Sequence, residues 1–449
     1  MTPNIIPSAS KPVRFLIAGT GAIVEKLEKT WQQFDSMGVE LHAADIRDDA
    51  AGRSVLPESV HFYNWKNPNQ LRDLADAAHD EPFDFVYLST FPDVHIFTAL
   101  RLDFLAHNFI FPKPVDSNFP SMATLHSEYM TDRAVNIATR SSVHDHYRNK
   151  PLTHYLRAHI GQLHSRNGFF KNIKIYITEH KSIQMEFQRR KSLECGMILD
   201  LCPHALSVAY EIVPEKLTWN DDEGNTFRRT ARSFQVVSCI RARDNLSILH
   251  SPNSETFAAI HFRGLEDIEF IPRGAEDVAD RLKDRPFDLL VVVGKGVSLG
   301  GREEGRDLKA IEMEFDGQTV RGNFDTSALA GVTDKELQQE AERHIDPRHR
   351  GLNLPLMQLA DSNFAFDNGS ENQLVTPFQH YEEAFGIAAL LDKAARDQSS
   401  QDLLHYRPGS GVPDIVNRCV SRGLDRRWAL DEDSLGRLIF GELPGDPIP

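Results

Sequence analysis

The sequence has little cysteine and no excess of positive charge. Four cysteines occur among 449 residues, and none forms a CxxC pair, so a disulfide scaffold or a structural zinc site is not expected. The 50 Lys and Arg against 65 Asp and Glu give a net charge of −15. This balance argues against nucleic acid or an anionic membrane as a partner, because phosphate binding needs a positive field.

Long apolar runs are also missing. No stretch approaches the roughly 18 apolar residues that a membrane helix needs. The first residues, MTPNIIPSASKPVRF, lack the charged-then-apolar pattern of a secretory signal, so we expect a cytoplasmic protein. The length suggests two or three domains at about 100–200 residues each.

Strand and helix patterns alternate over residues 1–140, which we interpret as a Rossmann domain. An apolar run at 13–18 is followed by a helix pattern at 24–34 and a second apolar run at 39–45. Further helices at 69–79, 93–106 and 118–133 alternate with strands at 83–90, 109–111 and 135–139. This alternation predicts a doubly wound parallel sheet with an α/β fold.

A different pattern follows over residues 141–396. Helices are predicted at 151–164, 196–212 and 377–396, and strands at 170–178, 234–242, 256–262, 288–294 and 310–315. Several of these strands follow one another without long helices between them, which predicts an α+β domain with a large, mostly antiparallel open sheet. Residues 397–449 form a C-terminal extension to which the pattern assigns no role.

The first chemical motif is the glycine turn after the first strand. Gly19, Thr20 and Gly21 precede Ala22 and Ile23 at the start of the helix pattern, where a pyrophosphate would approach the backbone. Asp45 and Arg47 follow the second apolar run. Asp45 is placed to bind an adenosine ribose, which favours NAD, whereas Arg47 would hold the 2′-phosphate of NADP. A plain strand-to-helix turn is the alternative interpretation.

Two motifs follow later strands of the same sheet. Ser89, Thr90, Pro92 and His95 stand where a strand ends and a helix begins, and ligands of open α/β sheets bind at carboxyl strand ends. The same residues would also suit a capped helix start. Lys113 lies between two prolines after a short strand; an ordinary surface lysine is the alternative.

A polar cluster precedes Pro151. Asp145, His146, Tyr147 and Lys150 stand beside a predicted helix start and would suit a phosphate or a set of sugar hydroxyls. The competing hypothesis is a metal site. Its ligands would come from the histidines of this region: His144, His146, His154, His159 and His164. No carboxylate or histidine at a recognised metal spacing completes this set, so we expect no metal.

Asp200 and His204 stand four positions apart on the helix predicted over 196–212, so they share one face. An acid beside an imidazole makes an oriented proton acceptor. A simple ion pair on the helix surface would have the same spacing.

In this order, the motifs resemble the NAD(P)-dependent oxidoreductase family named for glucose–fructose oxidoreductase and inositol dehydrogenase. The resemblance rests on the glycine turn, Thr90-Phe-Pro-Asp-Val-His95, Pro112-Lys113-Pro114 and the segment from Gly196 to His204. The run Asp145-His-Tyr-Arg-Asn-Lys150 is also similar to a motif of glucose-6-phosphate dehydrogenases.

The resemblance implies a hydride transfer between NAD or NADP and a hydroxyl or carbonyl of a sugar, sugar phosphate or cyclitol. It implies that Lys113 reaches the reacting hydroxyl and the nicotinamide ribose, and that His204 takes the hydroxyl proton. Asp200 would orient the substrate or the base. Alternatively, Asp145 would orient His204 while His146, Tyr147 and Lys150 grip a substrate phosphate. For the second domain, the resemblance implies substrate binding and oligomer contacts, with a homodimer or homotetramer formed through the open face of its sheet.

Pro112 stands where the family has glutamate. It supports a second hypothesis, a non-catalytic relative on the same fold that binds a nucleotide or sugar as a regulator. The third hypothesis is a metal-dependent hydrolase that uses His144 and His146.

Overall fold

A computed structural model describes most of the chain in two units. The described residues are 11–48, 51–91, 94–113, 140–148, 150–180, 196–232, 234–244, 255–275, 277–298, 307–326, 328–330, 404–407 and 410–430. The division between the units falls between residues 149 and 150, and the C-terminal residues join the second unit.

The first unit contains a six-stranded parallel sheet with the strand order β3-β2-β1-β4-β5-β6. Its strands are β1 (Arg14–Ala18), β2 (Glu40–Asp45), β3 (His61–Asn64), β4 (Phe83–Leu88), β5 (Ala106–Pro112) and β6 (Ser141–His144). The order runs one way from β1 and then reverses to β4, so the predicted doubly wound sheet is confirmed.

Helices and aromatic side chains cover this sheet. The helices are α1 (Ala22–Lys26), α2 (Glu28–Ser36), α3 (Pro68–Asp80) and α4 (His95–Arg101), with short 3₁₀ turns at Ala51–Val55 and Asp103–Leu105. Phe15, Trp31 and Phe34 are fully buried and pack together, with ring centroids 5.2–6.1 Å apart. The apolar spacing of the predicted helix therefore marks the side that faces the sheet.

Several element boundaries differ from the sequence prediction. The helix predicted over 24–34 is broken at Leu27 into α1 and α2. The helix predicted over 93–106 ends at Arg101, because the chain tightens into a 3₁₀ turn and enters β5 at Ala106. The helix at 118–133 and the strand at 135–139 lie outside the described residues. The sheet does continue past residue 140, because β6 pairs with β5.

The second unit contains a ten-stranded mixed sheet. Its strands are β7 (Phe170–Glu179), β8 (Lys216–Asn220), β9 (Thr226–Ala231), β10 (Gln235–Asp244), β11 (Phe257–Ile271), β12 (Asp280–Lys295), β13 (Leu308–Phe315), β14 (Thr319–Asn323), β15 (Ala328–Ala330) and β16 (Leu404–Tyr406). Most neighbours are antiparallel, as predicted, but β7 pairs with β12 and β10 with β16 in parallel.

Three helices accompany this sheet: α5 (Pro151–Asn167), α6 (Gly196–Ile212) and α7 (Val412–Ser421), followed by a 3₁₀ turn at Arg426–Trp428. The prediction for α6 agrees with the structure at both ends. The helix predicted over 377–396 lies outside the described residues. None of the helices described is long and apolar enough to cross a membrane.

The described part of the C-terminal extension belongs to the second unit. Strand β16 adds to the sheet, and side chains from residues 404–430 join the core that contains Tyr176, Leu290 and Val292. Ile415, Val416 and Trp428 are almost fully buried there. These residues therefore cover apolar sheet surface, a role that their Gly- and Pro-rich sequence did not indicate.

Glu255 caps the start of helix α6. Its Oε1 accepts a hydrogen bond from the Ile198 backbone N–H at 3.0 Å, and its carbonyl accepts one from the Met197 N–H at 3.1 Å. Burial raises the pKa of this carboxyl to about 7, although the Ile198 N–H, Arg241 and Arg243 act in the opposite direction. The folded protein therefore holds a proton here that the unfolded chain releases at lower pH.

We expect Glu255→Gln to flatten the pH dependence of stability. With a folded pKa near 7 and an unfolded value near 4.5, the stabilising contribution is full below pH 4.5 and is lost as the pH rises to 7. The neutral amide avoids that loss, so the variant should gain up to about 3 kcal/mol at pH 8. Urea unfolding at pH 5 and pH 8 measures this, with the exposed Glu215→Gln as the control; equal gains at both pH values contradict it.

Candidate functional sites

The residues predicted to bind a cofactor lie in the first unit, at the carboxyl ends of β1 and β4, where the strand order reverses. Gly19 directly follows β1, and Ser89 follows β4. The Ser89 N–H donates to the Ala18 carbonyl at 2.8 Å, which holds the two strand ends together. This crevice is the place where open α/β sheets bind their ligands.

The two glycines of the turn are needed for different reasons. Gly19 has a φ of +92°, and a Cβ added there would stand 2.7 Å from the Ser89 carbonyl oxygen. The chain itself therefore requires glycine at this position. Gly21 has a φ of −81°, and an added Cβ would meet only the Ser89 oxygen, at 3.8 Å. No described neighbour requires glycine there, but a closely approaching ligand would.

Two buried hydroxyls follow the carboxyl end of β4. The Ser89 and Thr90 Oγ atoms are buried and have no hydrogen-bond partner among the described residues. A buried hydroxyl left without a partner costs about 1–3 kcal/mol. A bound ligand with polar oxygens would remove that cost, so this part of the first unit fits a dinucleotide.

Asp45 already holds the glycine turn in place. Its Oδ2 accepts hydrogen bonds from the Thr20 backbone N–H at 2.6 Å and from the Thr20 hydroxyl at 2.9 Å. Its Oδ1 accepts the Arg47 N–H at 3.0 Å, while the half-exposed Arg47 side chain lies 3.8 Å away. Ribose binding by Asp45 and 2′-phosphate binding by Arg47 both stay predictions.

The other residues that were predicted to bind the cofactor have separate positions. Ala22 and Ile23 begin α1, and Pro92 lies outside the described residues. His95 is buried and its Nε2 lies 3.0 Å from the Thr90 carbonyl oxygen, so it braces the loop after β4. Lys113 is half-buried directly after β5, the strand next to β4.

The predicted acid–base residues lie in the second unit. Asp200 and His204 are both buried on α6. The Asp200 Oδ2 lies 3.0 Å from the Nζ of Lys295, and the same Nζ lies 3.5 Å from Glu179 Oε2. The sequence reasoning missed Lys295. Its signal was a lysine at the end of the apolar run LLVVVGK, because that run predicts a buried strand.

Lys150 is also paired within the second unit. Its Nζ donates to Asp325 Oδ1 at 2.9 Å and to the Phe324 carbonyl at 3.2 Å. Burial lowers its pKa, while Asp325 acts against that change. Lys309 lies 3.7 Å from the other Asp325 oxygen. A substrate phosphate at Lys150 would therefore compete with a carboxylate that is already bound.

The rest of that polar cluster belongs to the first unit. The Tyr147 N–H donates to Asp145 Oδ1 at 2.9 Å, and the His146 and Tyr147 rings lie 4.6 Å apart. The run from Asp145 to Lys150 thus crosses the division between the units. A substrate-gripping role for Asp145, His146, Tyr147 and Lys150 stays a prediction.

His164, one of the histidines considered as a metal ligand, is bound by the protein itself. His164 Nδ1 lies 2.9 Å from the Gly168 carbonyl, and its Nε2 accepts from Arg229 at 3.1 Å. Burial, reinforced by Arg229, lowers the pKa of His164 to about 3, so the ring is neutral. With both ring nitrogens engaged by the protein, His164 does not fit a metal ligand.

The described fold combines a six-stranded parallel sheet in one unit with a ten-stranded mixed sheet in the other. No family model matches the sequence, and no curated protein matches it. Solved structures do match. The WlbA dehydrogenase from Bordetella pertussis in complex with NADH and UDP-GlcNAcA aligns with a TM-score of 0.58 and 12% identity, covering 87% of this chain and 97% of that one.

Two further structures have the same fold. The scyllo-inositol dehydrogenase from Lactobacillus casei, with bound NAD(H) and scyllo-inositol, aligns with a TM-score of 0.51 at 13% identity, covering 86% of this chain and 98% of that one. A myo-inositol dehydrogenase from Corynebacterium glutamicum gives 0.51 at 11%, covering 88% and 98%. The chain has the fold of these dehydrogenases.

Proposed function

We propose that this protein is an NAD(P)-dependent oxidoreductase acting on a hydroxyl of a sugar, sugar phosphate or cyclitol. The observation that carries the proposal is a glycine at position 21 that no described residue requires, together with the buried Ser89 and Thr90 hydroxyls, which have no hydrogen-bond partner among the described residues. Sugar and cyclitol dehydrogenases with bound NADH or NAD(H) and the same fold support it.

The glycine turn and Ser89 would hold the dinucleotide, and Asp45 would keep that turn rigid through Thr20. When bound, the nicotinamide ring takes or gives the hydride. Each protein group then has a separate task. Lys113 contacts the reacting hydroxyl, His204 takes its proton, and Asp200 orients the substrate or the base. A histidine suits this task because its ordinary pKa of about 6.5 is near the working pH.

The first measurement is equilibrium binding of NAD⁺ and NADP⁺ to nucleotide-free protein, followed by tryptophan fluorescence. We expect a Kd in the micromolar range, about −8 kcal/mol, for one of them. Tighter binding of NAD⁺ would support ribose binding by Asp45. Tighter binding of NADP⁺ would support 2′-phosphate binding by Arg47, and Arg47→Ala should then weaken the binding of NADP⁺ alone. Failure to bind either would contradict the proposal.

The non-catalytic alternative makes a different set of predictions. Pro112 ends β5 directly before Lys113, in place of the glutamate that the resemblance implies. A regulator should bind the nucleotide but give no turnover with sugars, sugar phosphates and cyclitols. The enzyme should turn over at least one class, and light scattering of the same sample tests the homodimer or homotetramer that the resemblance implies.

A further inference from the structure

Lys295 is a buried cation between two carboxylates of the second unit. Its side chain is 3% exposed, and its Nζ lies 3.0 Å from Asp200 and 3.5 Å from Glu179. An ammonium with so little access to water is stable only with such partners. Asp200 therefore has a basic partner on a different element of the same unit.

The end of strand β12 presents this lysine in one orientation. Lys295 pairs in register with Glu179 on the parallel neighbour β7, which places both side chains at the same end of the sheet. Gly296 follows with a φ of +71°, so the chain turns away directly after the lysine. Strand β12 thus ends at the lysine that pairs with Asp200.

Hydrogen bonds hold the Lys295 backbone on two sides. Its N–H donates to the Thr256 carbonyl at 2.9 Å, and its carbonyl accepts from the Tyr406 hydroxyl at 3.0 Å. Because the Tyr406 proton goes to Lys295, the 2.6 Å contact between Tyr406 and Thr256 has the Thr256 hydroxyl as donor. The Asp244 N–H in turn donates to Thr256 at 2.7 Å.

The C-terminal segment completes this support. Tyr406 lies on β16, and residues just beyond it pair with the chain that follows Lys295. The Ser298 N–H donates to the Ser410 carbonyl at 3.0 Å, and the Val412 N–H donates to the Ser298 carbonyl at 2.8 Å. A segment distant in sequence therefore anchors the strand end that holds Asp200.

We propose that Lys295 is a positioning residue for the predicted acid–base residues. It keeps Asp200 charged and oriented, and Tyr406 in the C-terminal segment holds Lys295 in place. This inference rests on the proposed oxidoreductase function. It adds a residue to the site and assigns a role to a part of the chain beyond residue 396.

The test compares Lys295→Met with Lys295→Arg in the full-length protein. Loss of the cation should lower kcat by about 10–100-fold and move the acid limb of the pH–rate profile to higher pH, since a carboxylate without its cation binds protons more readily. NAD(P)⁺ affinity, measured separately, should stay unchanged. Arginine keeps the charge, so its acid limb should stay where the wild type has it.

Tyr406→Phe tests the hydrogen bond from Tyr406 to the Lys295 carbonyl separately. It removes one hydroxyl, so we expect a fall in kcat of about 3–10-fold, as for one net hydrogen bond, with wild-type NAD(P)⁺ affinity. The half-buried Tyr63→Phe, in the other unit, serves as the control and should leave kcat unchanged.

The possible failures are distinguishable. Wild-type protein without NAD(P)⁺ binding or turnover would overturn the proposed function. Wild-type turnover together with a folded Lys295→Met that has normal kcat and an unshifted acid limb would overturn only the positioning role. If Lys295→Met does not fold, Tyr406→Phe decides the question, and wild-type kcat in that variant would count against the role.

Discussion

His204→Asn should lower turnover by roughly 10²–10⁴-fold while leaving NAD(P)⁺ binding intact. His204 is 1% exposed on helix α6, one turn after Asp200. Asparagine keeps much of the side chain's shape and its hydrogen-bonding ability but cannot take a proton at neutral pH. Steady-state rates with the best substrate and equilibrium cofactor binding measure the two effects separately.

His159→Asn is the matched control for this experiment. It makes the same change on helix α5, where the His159 ring lies 2.9 Å from the Tyr155 carbonyl oxygen of its own helix. We expect wild-type rates from this variant. Unchanged turnover in His204→Asn, or a loss as large in His159→Asn, would remove His204 from the role of base.

Alanine in place of the two turn glycines should separate stability from cofactor binding. Gly21→Ala places a methyl group in space that no described residue fills closely. It should fold normally and bind the dinucleotide about 10–100-fold more weakly, as expected for 1–3 kcal/mol of overpacking. Gly19→Ala instead brings a Cβ to 2.7 Å from backbone at a φ of +92°, and should cost about 3 kcal/mol of stability or more.

Gly38→Ala separates the two causes in the Gly19 variant. Gly38 also has a positive φ, +76°, but an added Cβ meets nothing within 4 Å. It should therefore show only the backbone strain, about 1–2 kcal/mol. Urea unfolding and cofactor titration of all three variants give the comparison. Equal stability losses at Gly19 and Gly38 would contradict the contact with Ser89, and wild-type affinity in Gly21→Ala would contradict a ligand there.

Much of the first unit could be predicted from local patterns. Residues 13–18 and 39–45 are apolar, and both match observed strands to within one residue. Helix α6 begins and ends as predicted. Such patterns depend on residues that are close together in the sequence, so they can be recognised without knowledge of the tertiary structure. The break at Leu27 and the short strand β3 have weaker local signals and were missed.

Local patterns in the sequence predict the order of strand, glycine turn and helix, and the spacing that puts Asp200 and His204 on one helix face. Which groups meet across the sheets depends on the tertiary structure. The contact of Gly19 with Ser89, the pairing of Lys295 with Asp200 and the bond from Tyr406 to Lys295 join residues far apart in the chain. Strand order and register create these contacts, and neither is encoded in a local periodicity.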